Sequence, residues 1–112
     1  MTDVVLVRQE IRPGKTERLR EWCAELESRE EEVFETLDNE GVYTECRFLR
    51  STADGDFLFT FMEAADIAES KAAVEDSDFD IDDEHAAVME EVLVDGSTEL
   101  LDSLDTFVAE RP

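Results

Sequence analysis

Apolar residues recur along this chain at two spacings, every second position and every third or fourth, and the switches between them predict its elements. Val4-Val5-Leu6-Val7 opens a strand that continues to Ile11, and Pro13-Gly14 ends it. Over residues 15–39 the apolar positions Leu19, Trp22, Cys23, Leu26, Val33, Phe34 and Leu37 keep helical spacing, so one long helix is expected, stopped by Gly41. Its stripe misses one beat: position 29 or 30 should be apolar and is Arg29 or Glu30. Residues 42–50 alternate and carry β-formers. Ala53-Asp54-Gly55-Asp56 supplies a hairpin turn, and 57–62 return as a strand. A second helix begins at the N-cap Asp66 and carries Ile67 and Val74 inward. Another spans 82–93, with His85, Val88, Met89 and Val92 on one face, and Gly96-Ser97 breaks it. In residues 98–109, Leu100, Leu101, Leu104, Phe107 and Val108 also fit helical spacing. A strand there would complete a βαββαβ order, and an edge strand is expected on that topological ground.

The strands are apolar on both sides. Phe57, Phe59 and Phe61 share one face of the third, Leu58, Thr60 and Met62 the other; Val4 and Leu6 oppose Val5 and Val7 in the first. In a βαββαβ unit the helices cover one face only, so the other needs cover, and a second copy of the same sheet is the simplest source. A homodimer built sheet to sheet is expected.

Charge changes the picture next. Asp and Glu number 32 against 10 Lys and Arg, a net charge of −22, and only Lys15 and Lys71 are lysines. The chain is 42% hydrophobic, with seven phenylalanines spread along it, so it is expected to fold as one domain over 1–112. Such self-repulsion suits a protein living in molar salt, where the Debye length shrinks to about 3 Å. The acids are scattered over the whole chain, so salt adaptation accounts for them better than mimicry of nucleic acid. No basic patch meets phosphates, which disfavours nucleic-acid binding. Asp3 interrupts the start, and no apolar run reaches membrane length; a cytoplasmic protein with no membrane partner is expected. Cys23 and Cys46 lack metal-ligand spacing and are expected as buried free thiols, the alternatives being a disulfide or a zinc site.

Several segments are similar to a small prokaryotic family of unknown function within the dimeric α+β barrel, or ferredoxin-like, superfamily. They are Pro13-Gly14-Lys15; Trp22 through Arg29 to Leu37; Glu40-Gly41-Val42-Tyr43 on to Glu45; Asp54-Gly55-Asp56; and Ile81-Asp82 leading to His85 and Met89. The chain resembles an acidic, haloarchaeal-type member. The resemblance implies an α+β fold, an antiparallel βαββαβ sheet with helices on one face, assembled as a dimeric α+β barrel. That superfamily includes cofactor-independent monooxygenases acting on quinol-like aromatics and chlorite-dismutase-like haem proteins; the small family has no established activity to carry over.

Candidate chemistry gathers on a few polar residues that interrupt apolar stripes. His85, the only histidine, shares a helix face with Val88, Met89 and Val92, where it serves as a general base, a haem ligand or a satisfied half-buried ring. Arg29 falls where the long helix should be apolar and needs a carboxylate or an anionic ligand, unless it lies in solvent. Glu45 is its candidate partner, on a strand face with Tyr43 and Arg47. An Arg29–Glu45–His85 cluster walled by Trp22 and Tyr43 would make a small pocket between helix and sheet, with His85 as base and Arg29 as anion stabiliser. The acidic run 75–84 fails as an EF-hand: a loop starting at Asp76 has Ile81 where Gly is needed and Ala87 where Glu is needed. No cofactor or metal is expected. The resulting reading is a small-molecule binding or cofactor-independent monooxygenase-like domain; the alternatives are a non-enzymatic dimeric binding or regulatory module and, remotely, an acidic nucleic-acid mimic.

Overall fold

The computed structural model describes residues 2–109. Strand β1 (Asp3–Glu10) leads to helices α1 (Thr16–Ser28) and α2 (Glu30–Glu40), then β2 (Val42–Thr52) and β3 (Gly55–Ala64). Helices α3 (Ile67–Glu75) and α4 (Asp80–Val92) follow, and a short β4 (Glu99–Leu100) closes the order. The sheet runs β2-β3-β1-β4, antiparallel throughout. This is an α+β fold of ferredoxin-like type.

Register sorts the side chains, because residues paired across an antiparallel ladder point to the same side. Gln9, Leu58 and Leu49 line up, as do Val7, Thr60 and Arg47, and Val5, Met62 and Glu45. Leu58, 2% exposed, packs in the core with Ile11, Leu19, Trp22, Ile81, Val88, Val92 and Leu93, so these rows face the helices. The opposite side carries Leu6, Phe61 and Cys46; Arg8, Phe59 and Phe48; and Glu10, Phe57 and Arg50. Among the described residues no helix packs there. Cys23 and Cys46 are free and half-buried, Cys23 against the core and Cys46 on the side away from the helices.

The expected long helix divides. Arg29 leaves helical geometry (φ −114°, ψ 38°), its N–H bonding to Glu25 O and Leu26 O while its carbonyl accepts from Val33 N. The missed beat in the apolar stripe is the joint itself: an interrupted stripe lets α2 restart in a new direction. Re-phasing turns Phe34 outward, 58% exposed, and buries Thr36 instead. Val74, expected inward, is 45% exposed, because α3 docks through Ser70. The Ser70 hydroxyl donates to Glu40 O at 2.7 Å and lies 3.0 Å from Asp66 O. Asp66 caps α3 as its sequence indicates, its carboxylate accepting from Glu69 N at 3.0 Å.

The edge strand expected over 98–109 shrinks to Glu99–Leu100. Leu101 N still bonds Leu6 O, and over residues 102–109 the chain takes no regular structure. It crosses the helix-free side of the sheet, enclosing a groove with Val4, Leu6 and Phe61. Without a continuous partner strand the helical spacing of its leucines finds nothing to pack on, and Leu104 and Phe107 are 97% and 89% exposed.

Candidate functional site

The middle of the helix-facing side holds a polar cluster. Trp22, 3% exposed on α1, donates its indole N–H to His85 Nδ1 on α4 at 2.9 Å. His85 Nε2 lies 3.4 Å from Arg47 Nη2 on β2, and Arg47 is ion-paired with Glu45 two residues earlier on the same strand face. Both side chains of that pair are more than four-fifths buried. Above and below the cluster the helix–sheet layer is sealed, by Leu58 and Ile11 at one end and by Val42 and Ala64 at the other. Between these ends Val5, Val7, Thr60 and Met62 stay only half-buried. The register sets Thr60 between Val7 and Arg47, and Met62 between Val5 and Glu45, so they form a half-buried row on the helix-facing side of the sheet beside the cluster.

Proton positions follow from donor chemistry. An indole nitrogen only donates, so His85 Nδ1 accepts, and the neutral ring carries its proton on Nε2. Burial, and then the Arg47 charge, push the His85 pKa down to about 4, with Asp82 opposing. Glu40, at the end of α2, moves the other way, up to about 7, through burial and the nearby Asp82 and Glu45 charges, with Arg47 opposing. The Cys23 thiol is raised by burial, which keeps it protonated and a poor nucleophile.

These shifts set a pH profile. A free histidine near 6.5 binds protons before the folded ring does, so the stability His85 contributes is complete above pH 6.5 and is lost as pH falls toward 4. The loss amounts to about 3 kcal/mol. Glu40 contributes fully below its free value of 4.5, and that contribution is lost as pH rises through 7. Between pH 4.5 and 6.5 the two slopes oppose and largely cancel, so urea unfolding in molar salt is expected to show a nearly flat profile there, and Glu40→Gln should unmask a stability that rises with pH from 4 to 6.5. An unchanged profile in that variant would contradict the assignment.

Sequence-predicted site residues divide. His85, Glu45 and Trp22 come together. Arg29 does not: its guanidinium is held by Glu25, Glu32 and Glu84 at 2.7–2.9 Å, tying the α1–α2 joint to α4. It holds the Glu32 and Glu84 carboxyls below their ordinary range. Tyr43 is 63% exposed and forms no wall, because a register shift between Val42 and Thr44 takes it out of step with Glu45. Arg47, not Arg29, is the arginine paired with Glu45. The signal for it is strand alternation, which aims a charged residue at the core from the same face as Glu45. Glu40 gives no sequence signal; its burial comes from the turn at Gly41. Among the described residues no group of three or more His, Cys, Asp and Glu side chains gathers to hold a metal, and no helix is long and apolar enough to cross a membrane.

Residues 2–109 match the model of a family of unknown function, DUF6176. The chain belongs to that family. No curated protein matches it. Among solved structures this DUF6176 chain is similar to Rv0793 from Mycobacterium tuberculosis, with a TM-score of 0.54 and 21% identity, covering 95% of this chain and 98% of that one. At that identity the likeness extends to the fold, in keeping with the sheet order and helix placement described above.

Proposed function

We propose that this protein binds a small molecule in a shallow depression over Val5, Val7, Thr60 and Met62, beside His85, Arg47 and Glu45, as a homodimer, in the cytoplasm of a cell living in molar salt. One observation carries the binding reading: a charged pair and a histidine stand inside the helix–sheet layer next to a half-buried, mainly apolar row of Val5, Val7, Thr60 and Met62. Buried ion pairs rarely stabilise a fold better than apolar residues of equal size, so packing does not account for Arg47 and Glu45. A ligand does.

His85 is a poor base in this arrangement. Its lone pair at Nδ1 is taken by Trp22, and Nε2 already bears the proton. The oxygenase-like chemistry of the superfamily would need another base, and Glu40 is the carboxylate tuned for it. Binding is therefore the primary reading, and a base-catalysed reaction through Glu40 is secondary to it.

For the dimer, the support is charge as well as apolarity. The side away from the helices carries Arg8 and Arg50 against Glu10, Glu63 and Glu99 and the tail's Asp102 and Asp105, a formal −3 on a chain of −22. Arg8 Nε meets Glu99 Oε1 at 3.2 Å and stacks over the Phe57 ring at 5.0 Å. Two strongly acidic copies can approach each other through such a face without strong repulsion.

Trp22 is the only tryptophan and touches the site, so its emission reports occupancy. Titration in molar potassium chloride with benzoate, benzamide and benzylamine is expected to give a saturable change with at least one probe. Thr60→Phe, which fills the floor, should abolish it. No saturable change with any of the three would contradict the binding reading.

A further inference from the structure

Two donors meet at this site without an acceptor. Neutral His85 carries its proton on Nε2, because Nδ1 is committed to the Trp22 indole. Arg47 is a donor only, so the 3.4 Å approach of Nη2 to Nε2 is not a hydrogen bond between them; it sets two N–H groups side by side. One Nη2 hydrogen goes to Glu45 Oε1. Among the described residues no acceptor is placed for the second, or for His85 Nε2–H. Two donors left unanswered inside a layer this well buried are costly unless an oxygen meets them.

Resting on the binding reading above, we propose that the ligand enters with an anionic oxygen, held jointly by His85 Nε2–H and Arg47 Nη2–H, and lays an apolar body on Val5, Val7, Thr60 and Met62. The chemical class is a small carboxylate, or an enolate or phenolate, with a hydrocarbon or aromatic remainder. Charge-assisted bonds from a guanidinium favour an oxyanion over a neutral carbonyl. Arg47 then bridges two carboxylates, Glu45 and the ligand's. Trp22 is a positioning residue in this scheme: it keeps Nδ1 unprotonated and so aims the single ring proton at the ligand. Amines and other donors find no partner on this edge of the depression.

The single histidine makes the test direct, since ¹⁵N-labelled protein gives one imidazole spin system. At neutral pH in molar potassium chloride, Nε2 is expected to carry the proton and Nδ1 to resonate as an unprotonated, hydrogen-bonded nitrogen. Benzoate should shift the Nε2–H resonance saturably and bind at least about tenfold tighter than benzamide, a difference of about 1.4 kcal/mol. The double variant Glu45→Gln/Arg47→Gln removes the pair without stranding a charge and should bring the two probes to parity. Trp22→Phe should leave the ring free to exchange tautomers. A proton found on Nδ1 would overturn the proposal. So would benzamide binding as tightly as benzoate, an outcome that leaves the broader binding reading standing. Binding of neither probe, nor of benzylamine, would remove both.

Discussion

Dialysis from molar potassium chloride into dilute buffer is expected to unfold this protein. The acids exceed the bases by 22 on a molecule only 42 × 35 × 25 Å. At 0.1 M salt the Debye length is about 10 Å, so each surface carboxylate feels several neighbours; at 1 M it is about 3 Å and feels few. The cations present do not offset this. Lys15 and Arg18 share Glu91, Arg12 meets Asp95 and Arg20 meets Glu17, all at the surface, where such pairs contribute roughly 0–1 kcal/mol. Some acids are well placed, for Glu30, Glu31 and Glu32 open α2 and Asp80, Asp82 and Asp83 open α4, each against a positive helix end. Those stabilise locally and most at low salt, but at about 0.3–1 kcal/mol each they do not offset the long-range repulsion that returns when salt is removed. Far-UV dichroism across a salt series should therefore show cooperative loss of helix and strand signal as salt falls. An unchanged thermal midpoint from molar to dilute salt would mean the charge serves another end.

Phe61→Asp is expected to turn the proposed dimer into a folded monomer. Phe61 lies mid-sheet on the helix-free side, flanked by Leu6 and Cys46, and is only half-buried within one protomer. Burying a phenylalanine is worth about 1.5–3 kcal/mol, and a two-fold interface counts each substitution twice. With a new carboxylate added to each face, dissociation should strengthen by more than about a thousandfold. Sedimentation in molar salt reads the change, and dichroism should show the fold retained. Val74→Asp, on the exposed side of α3, should leave the dimer intact. A monomeric parent protein, or a Phe61→Asp variant that stays dimeric, would exclude this face.

Periodicity made most of the fold legible. The first three strands, the turn at Asp54-Gly55, the Asp66 cap and the histidine-bearing helix all follow from spacing and turn chemistry that act locally. What the pattern could not give was direction. A missed beat at Arg29 reads equally as a buried charge in a straight helix or as a joint between two, and only packing against α4 decides between them. The same change of direction exposed Phe34 and took Arg29 to a ring of glutamates. Tyr43 was misplaced by one residue of bulge, which no alternation rule anticipates. Arg47 was visible as a core-facing charge beside Glu45, yet the choice between two arginines needed the helix path. The tail keeps a helical spacing that nothing in one protomer satisfies, so its conformation depends on what it meets.

The central claim is that the depression beside His85 and Arg47 is a ligand site. It is tested most directly by a crystal structure of protein purified in molar salt and soaked with benzoate. Density for a carboxylate within hydrogen-bonding distance of both His85 Nε2 and Arg47 Nη2, with its ring over Thr60 and Met62, is the expected result. A depression closed by its own side chains, with Arg47 turned away from His85 and no density beside them, would contradict it.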